Sequence, residues 1–119
     1  MIDINLEAEG TLKQLDCTVV YQHPRDFTVL PVVSYYNVTE HGALYTDNSE
    51  DIQSGYVQVD VWTADAKECG DLTLRVNDIM TADGFMREMS ADVPEKDGKV
   101  YHKTMRFHKY FILKENEND

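Results

Sequence analysis

The clearest alternation of apolar and polar residues along the chain lies over residues 56–62. Val57, Val59 and Val61 fall on one side of an extended segment, and the residues between them are polar. Successive side chains of a β-strand point to opposite faces of a sheet. This period of two therefore predicts a strand with one buried face and one polar face.

A period close to 3.6 residues follows, and it predicts the longest helix. The residues at the spacing of one helix face are Ala66, Cys69, Leu72, Thr73, Val76, Ile79 and Met80. Thr63 or Asp65 is suited to cap the start, because a short oxygen-bearing side chain accepts hydrogen bonds from the first free amides. Asp83-Gly84 is expected to end the helix.

Four further strands and a short helix complete the predicted elements. The strands are predicted at residues 17–21, 32–39, 85–93 and 99–113, and the short helix at residues 6–15. Asp97-Gly98 provides the positive φ of a hairpin turn between the last two strands. The predicted fold class is α+β, with a single mixed or antiparallel β-sheet packed by two helices on one face, in the order α-β-β-β-α-β-β.

Two polar segments are predicted to lie outside these elements. Residues 40–55 are rich in turn-forming side chains, which predicts a long polar loop between the two strands of the first hairpin. Residues 114–119 are predicted to fray. A chain of 119 residues has room for one core, so a single domain is predicted over residues 1–119.

The charge balance limits the partners that the chain can have. Its 22 acidic residues outnumber 11 Lys and Arg residues and give a formal net charge of −11. A surface of this sign repels phosphate and anionic lipid, so we predict neither specific nucleic-acid binding nor a membrane partner. The first residues lack the basic and apolar regions of a secretory signal, which predicts a cytosolic protein.

The residues that most often bind metals are not grouped in the sequence. His102 and His108 share one face of the last strand, but about 20 Å of strand separates them at ~3.3 Å per residue. Asp47 begins a run of oxygen-bearing side chains like the first half of a calcium loop. Ile52 and Gln58 stand where such a loop needs Gly and Glu. We therefore predict no metal site.

Signals for nucleophilic catalysis or cofactor binding are also absent from the sequence. The glycines are scattered singly, without the spacing of a phosphate-binding loop, and no serine lies in a Gly-x-Ser-x-Gly elbow. Cys17 and Cys69 lie among apolar residues, as small buried and reduced side chains do. We predict no catalytic residue and no cofactor.

Aromatic residues gather around the first predicted hairpin. Tyrosine and tryptophan are enriched at protein interfaces, because they combine a large apolar ring with a polar group. The predicted interface set, which includes two acids of the polar loop, is Tyr35, Tyr36, Tyr45, Asp47, Asp51, Tyr56 and Trp62. Packing of these aromatic residues within the protein explains their spacing equally well.

The succession of segments resembles that of a known family. An early helix precedes a strand ending at Tyr21 and the segment Leu30-Pro-Val-Val-Ser-Tyr-Tyr. The stretch Thr46-Asp-Asn-Ser-Glu-Asp-Ile-Gln-Ser-Gly-Tyr-Val-Gln-Val-Asp-Val-Trp-Thr63, a helix and a closing hairpin follow. Over residues 12–113 the chain thus resembles the small tail-completion or tail-terminator (head–tail joining) proteins of long-tailed bacteriophages and prophages.

This resemblance implies an α+β protein without catalytic residues, acting first in the host bacterial cytoplasm and then in the virion. Such a protein forms a ring, commonly a hexamer, on the head-proximal end of the tail tube. The implied partners are further copies of itself, the tail tube protein and the head connector or completion protein. An acidic ring suits a channel through which DNA passes. Strand edges and a long loop would provide the contacts between subunits.

Two other classes of protein remain compatible with the sequence. A small-molecule-binding or enzymatic α+β domain would hold converging polar groups in a pocket between helix and sheet. An acidic DNA-mimic inhibitor is suggested by the net charge of −11.

Overall fold

The computed structural model describes residues 1–113 of the chain. The helices are α1 (Ile4–Leu12) and α2 (Ala66–Ala82), and the strands are β1 (Thr18–Tyr21), β2 (Val32–Thr46), β3 (Ser49–Thr63), β4 (Met86–Val93) and β5 (Tyr101–Ile112). The strands form one sheet in the order β1-β2-β3-β5-β4. Strand β1 runs parallel to β2, and the other neighbouring pairs are antiparallel. This architecture confirms the predicted fold class and element order.

The alternation that predicted β3 defines the buried face of the sheet. Val57, Val59 and Val61 are completely buried, and they join residues of both helices in the core. On the neighbouring strand β5, Met105 and Phe107 pair with Val59 and Val57 and are also completely buried. Burial on one face enforces the period of two, which is why these strands were predictable.

Helix α1 covers one part of this core face. Asp3 caps it by accepting a hydrogen bond from the backbone amide of Leu6 (3.2 Å). Ile4, Ala8 and Leu12, spaced four residues apart, point into the core. The helix begins at Ile4, two residues before the predicted start, because Asp3 provides a cap that the prediction had overlooked.

Helix α2 covers the rest of the core face. Asp65 accepts a hydrogen bond from the amide of Glu68 (2.9 Å), which confirms Asp65 as the capping residue. Val76 and Met80, on the inner face of this helix, are completely buried. The helix ends at Ala82, and Gly84 follows with φ of +93°, a conformation that side chains with a Cβ rarely adopt.

The long polar loop predicted over residues 40–55 is wrong. Strand β2 continues to Thr46 and β3 starts at Ser49, so a two-residue turn joins them. Asp47 and Asn48 form this turn with φ of +51° and +66°, as in the tight turns that match the twist of a hairpin. The turn-forming residues of this segment thus form one tight turn within a continuous hairpin.

The outer part of this hairpin projects beyond the rest of the sheet. The last residue of β5, Ile112, pairs with Ile52, so residues 43–51 extend past the end of β5. We call residues 43–51 the arm. The predicted frayed tail, residues 114–119, lies outside the described residues.

A bulge in β4 changes the face to which its apolar residues point. The even spacing of Phe85, Met89, Ala91 and Val93 would place all four on one face of a regular strand. Phe85 is buried, whereas Met89 is 43% exposed. The register between β4 and β5 shifts between Arg87 and Met89, and this extra residue turns Met89 toward the opposite face.

The two sides of the sheet therefore differ within residues 1–113. Both helices pack on the face that carries Val57 and Val59. We call the opposite side the open face; across its centre, Tyr36, Gln58, Arg106 and Met89 occupy neighbouring positions on β2, β3, β5 and β4.

Candidate interaction surface

Tyr35, one of the predicted interface residues, is buried on the core face. Its side chain is 4% exposed, and its hydroxyl donates a hydrogen bond to a carboxylate oxygen of Glu9 in α1 (2.6 Å). Burial is the larger cause, and this hydrogen bond the second, of a Tyr35 pKa well above its ordinary value. Tyr35 thus connects helix α1 to the sheet, and its ring does not form part of the accessible surface.

Trp62 lies on the open face, on the same side of β3 as Gln58 and Asp60, but it is only 4% exposed. Its indole N–H donates to Ser34 Oγ (3.0 Å). The rings of His23 and Phe27, from the connection between β1 and β2, each lie 5.0 Å from the Trp62 ring. This connection covers Trp62, so the indole is part of a small second cluster beneath it.

The other side of the Trp62 ring contacts His102. The two rings stack with centroids 3.5 Å apart. His102 Nε2 contacts Asp60 Oδ1 (2.8 Å) and its Nδ1 contacts Glu95 Oε1 (2.9 Å). The side chains of Asp60, Glu95 and His102 thus have partners within the chain, and the cluster fixes the β4–β5 connection against the sheet.

Tyr36 and Tyr56 remain partly accessible in the middle of the open face. Tyr56 stacks on His108 with ring centroids 4.3 Å apart, and His108 Nε2 contacts Ser54 Oγ (2.6 Å). Tyr110 meets His108 edge-on and is 55% exposed. These rings form a continuous aromatic surface on β3 and β5.

The remaining predicted interface residues lie in the arm. Tyr45 is 60% exposed, and Asp47 lies exposed in the turn. Asp51 is partly buried and accepts a hydrogen bond from the Thr46 hydroxyl. Leu44, which the sequence analysis had not selected, is 50% exposed beside Tyr45.

The structure also places three unselected residues on the open face. Arg106 lies next to Gln58, and its Nη2 donates to Gln58 Oε1 (3.3 Å). Met86 and Met89 flank it from β4 and are 52% and 43% exposed. The even-numbered alternation of β5 is sufficient to place Arg106 on this face. The β4 bulge hides the position of Met89, whereas Met86 precedes the bulge.

The histidines and cysteines are distributed as single groups. Among residues 1–113, no three His, Cys, Asp or Glu side chains come together as metal ligands would. Cys17 and Cys69 are free thiols, the first partly buried and the second buried. Burial raises the pKa of both thiols, which lowers their reactivity.

A cleft of about 520 Å³ separates the start of α2 from the connection between β4 and β5. Two of its charged side chains, Lys103 and Glu95, are already engaged: Lys103 Nζ lies 3.4 Å from Asp92 Oδ1, and Glu95 contacts His102. Both pairs lie on the β4–β5 side of the cleft, where these charged groups are engaged with each other and not with a common ligand position.

The helices described within residues 1–113 are too short or too polar to span a membrane.

The exposed arm and the aromatic open face are surfaces suited to contacts between proteins, and with the helix-backed mixed sheet they define a small assembly protein of the α+β class. The protein family described as "Tail completion protein gp17" matches residues 8–111. The chain belongs to this family, and its role is therefore in the assembly of bacteriophage tails. The resemblance seen in the sequence is confirmed.

A solved structure shows the same fold. The structure titled "Structure of bacteriophage SPP1 gp17 protein" superimposes with a TM-score of 0.54 at 14% sequence identity, covering 95% of this chain and 90% of that one. Among curated proteins, a sequence search finds no match.

Proposed function

We propose that the protein forms a ring, with a hexamer as the first expectation, that caps the tail tube and joins the tail to the head. It would assemble in the host bacterial cytoplasm and remain at the tail–head junction of the virion. Its partners would be further copies of itself, the tail tube protein and the head connector or completion protein. Its action would be structural, without catalysis.

The main support for this proposal is the long unpaired edge of β2. Strand β1 pairs with β2 only from Val32 to Tyr35, so the outer edge of β2 from Tyr36 to Thr46 has no neighbouring strand within residues 1–113. Unpaired strand edges provide rows of free amide and carbonyl groups to which another chain can add a strand. This edge extends into the arm, where it carries the exposed side chains of Leu44 and Tyr45.

The residues of the proposed interface set fall into two groups, accessible and buried, and we propose a different role for each group. Tyr36, Tyr45 and Tyr56 have accessible surface and would contact partners directly. Tyr35 and Trp62 are buried, so we propose that they hold the contacting surface in shape. The two arm acids, Asp47 and Asp51, would contribute negative charge to the contact.

The experiment uses purified tail tubes and the full chain. Wild-type protein is expected to bind at one end of each tube in electron micrographs and to stop the elongation of tubes in a polymerisation assay. Tyr45→Ser should weaken capping, whereas Tyr101→Ser, which changes a 43% exposed tyrosine at the opposite end of β5, should not. Binding along the whole tube, or no binding at either end, would contradict the proposal.

A further inference from the structure

Arg106, in the centre of the open face, has no carboxylate partner among residues 1–113 of a strongly acidic chain. Its side chain is half-buried, and the ion pairs formed within residues 1–113 do not include it. The Nε atom is buried without a hydrogen-bond partner there, as is Oγ1 of Thr104 on the same strand. A partly buried arginine is costly unless its donors are satisfied, so this position suits a contact that brings in acceptors.

The surroundings of Arg106 have the composition of a protein interface. Met86 and Met89 are exposed on the adjacent edge strand, and Tyr36 and Tyr56 are partly exposed on the other side. Methionine, tyrosine and arginine are enriched at interface centres, where acidic residues are depleted. The six β5 residues that face this side between Tyr101 and Ile112 include no acid.

On β3 the open face carries one acid next to these residues, Asp60, and His102 already contacts it (2.8 Å). The part of the open face formed by β3 and β5 is therefore close to neutral or positive in a chain of net charge −11.

The arm has the complementary chemistry. Its exposed apolar residues are Leu44 and Tyr45, and its charged residues are three acids, Asp47, Glu50 and Asp51, without a Lys or Arg. The exposed side of α2 also carries a leucine, Leu74, and acids. It carries Lys67 and Arg75 as well, which makes it a poorer match for an arginine. Apolar contacts combined with opposite charge favour the arm as the occupant of the open face.

An arm cannot reach the Arg106 of its own chain. The row Leu44–Ile52–Ile112 at the base of the arm lies six residues along β5 from Arg106, or about 20 Å at ~3.3 Å per residue. Continuous strands connect the two places and keep them apart. We infer that the arm of one copy docks on the open face of a second copy, with an arm carboxylate paired to Arg106.

This contact joins two different surfaces of the same chain. Such a heterologous contact leaves an arm free at one end and a face free at the other, so it continues until a ring closes or a filament grows. The inference rests on the self-association part of the proposed function and names the surfaces that would make it. It makes no statement about the tail tube.

The test is a charge exchange measured without tail tubes. Arg106→Glu and Glu50→Lys should each weaken self-association by about tenfold or more, as seen by sedimentation velocity over a range of concentrations. An equimolar mixture of the two variants should recover association, because each then offers the other a matching surface. Arg75→Glu and Glu7→Lys, at exposed positions on the helices, provide controls that should behave as wild type.

A second measurement covers the case in which a charge reversal prevents folding or association is weak. Arg106→Lys keeps the positive charge and provides an amine that a carbodiimide can join to a carboxylate in contact with it. We expect an intermolecular link from position 106 to residues 47–51 in a mixture of isotopically light and heavy protein. Links to other carboxylates alone, or no link together with a monomeric wild type, would overturn the inference.

These outcomes are separable from those of the proposed function. Recovery in the mixture combined with failure to cap tubes would support the arm contact and reject the capping role. If Arg106→Glu caps tubes and forms rings as wild type does, the capping role is supported and the arm contact is rejected.

Discussion

Gly55→Ala tests how closely helix α1 packs on the base of the hairpin. A Cβ atom at position 55 would lie 2.8 Å from Cδ1 of Ile4 and 3.1 Å from its Cγ1 and Cγ2 atoms. Real Cβ contacts are essentially never as short as the first of these. Ile4 is 1% exposed, so its side chain has little room to move away, and a rotation that relieves one contact keeps the others. The substitution should force α1 outward or distort β3.

The expected loss follows from two opposing effects. Overpacking a well-packed core costs about 1–3 kcal/mol. Alanine, in contrast, loses less backbone entropy than glycine and regains about 0.5–1 kcal/mol in a strand. The midpoints of these two ranges give a net destabilisation of about 1.3 kcal/mol. For a chain of 119 residues, an unfolding entropy of about 2.1 cal/mol/K per residue converts this to a decrease in Tm of about 5 °C.

A double-mutant cycle identifies the contact that is responsible. Ile4→Val removes the nearest atom, Cδ1, and alone should cost about 0.5–1.5 kcal/mol. The double variant should be more stable than the sum of the single changes by about 0.5 kcal/mol or more, as measured by urea unfolding followed by Trp62 fluorescence. Gly10→Ala is the control: it has no atom within 4 Å of the added Cβ and should stabilise α1 by about 0.5–1 kcal/mol. Strict additivity, or a Gly55→Ala protein as stable as wild type, would refute the steric argument.

Two further predictions concern helix α1. Leu12→Ala should destabilise the fold by about 2–5 kcal/mol in urea unfolding, because Leu12 is completely buried, whereas Leu6→Ala, at a 62% exposed position, should change stability by at most about 0.5 kcal/mol. A hydrogen bond from Lys13 and a weaker effect of the one from Tyr35 lower the pKa of Glu9 below its ordinary value of 4.5. The charged carboxylate therefore stabilises the fold above that pH, and its contribution is lost as the pH falls below it; Glu9→Gln should reduce the loss of stability between neutral pH and about pH 3, and an unchanged profile would contradict this.

The elements that were predictable are those with one buried face. Helix α2 and the central part of β3 each place apolar residues at a regular spacing because the core lies on one side of them. The capping residue Asp65 and the closing Gly84 were equally visible, since both positions demand particular side chains.

The arm could not be predicted in this way. Beyond Ile112 no helix or core from residues 1–113 lies beside the hairpin, and most of its side chains on both faces are exposed. Without burial on one side, nothing enforces alternation, so the polar residues of an extended hairpin are indistinguishable by pattern from those of a loop. The type of turn at Asp47-Asn48 was the available signal, and it becomes decisive only if residues on both sides are assumed to pair.

Burial on the open face depends on contacts that have no period in the sequence. The parity of Trp62 correctly gave its face, but its burial comes from Phe27 and His23 in a segment without regular structure. The exposure of Met89 likewise depends on one extra residue in β4, since a bulge reverses the face of all residues after it. The predicted interface set therefore includes Tyr35 and Trp62, whose exposure is decided by local packing and not by their position in the alternation.

Arg106 illustrates what composition and position show together. Taken alone, an arginine that alternates with the apolar residues Met105 and Phe107 in a strand is typical of a solvated face. It becomes informative because acids outnumber bases by two to one in the chain, yet the open-face positions of β3 and β5 carry a single acid, Asp60, in the part of the face around Arg106, and His102 contacts it. The arm carries three acids, and the continuous strands keep that arm away from its own Arg106. An arm carboxylate can therefore pair with Arg106 between two copies of the chain, but not within one copy.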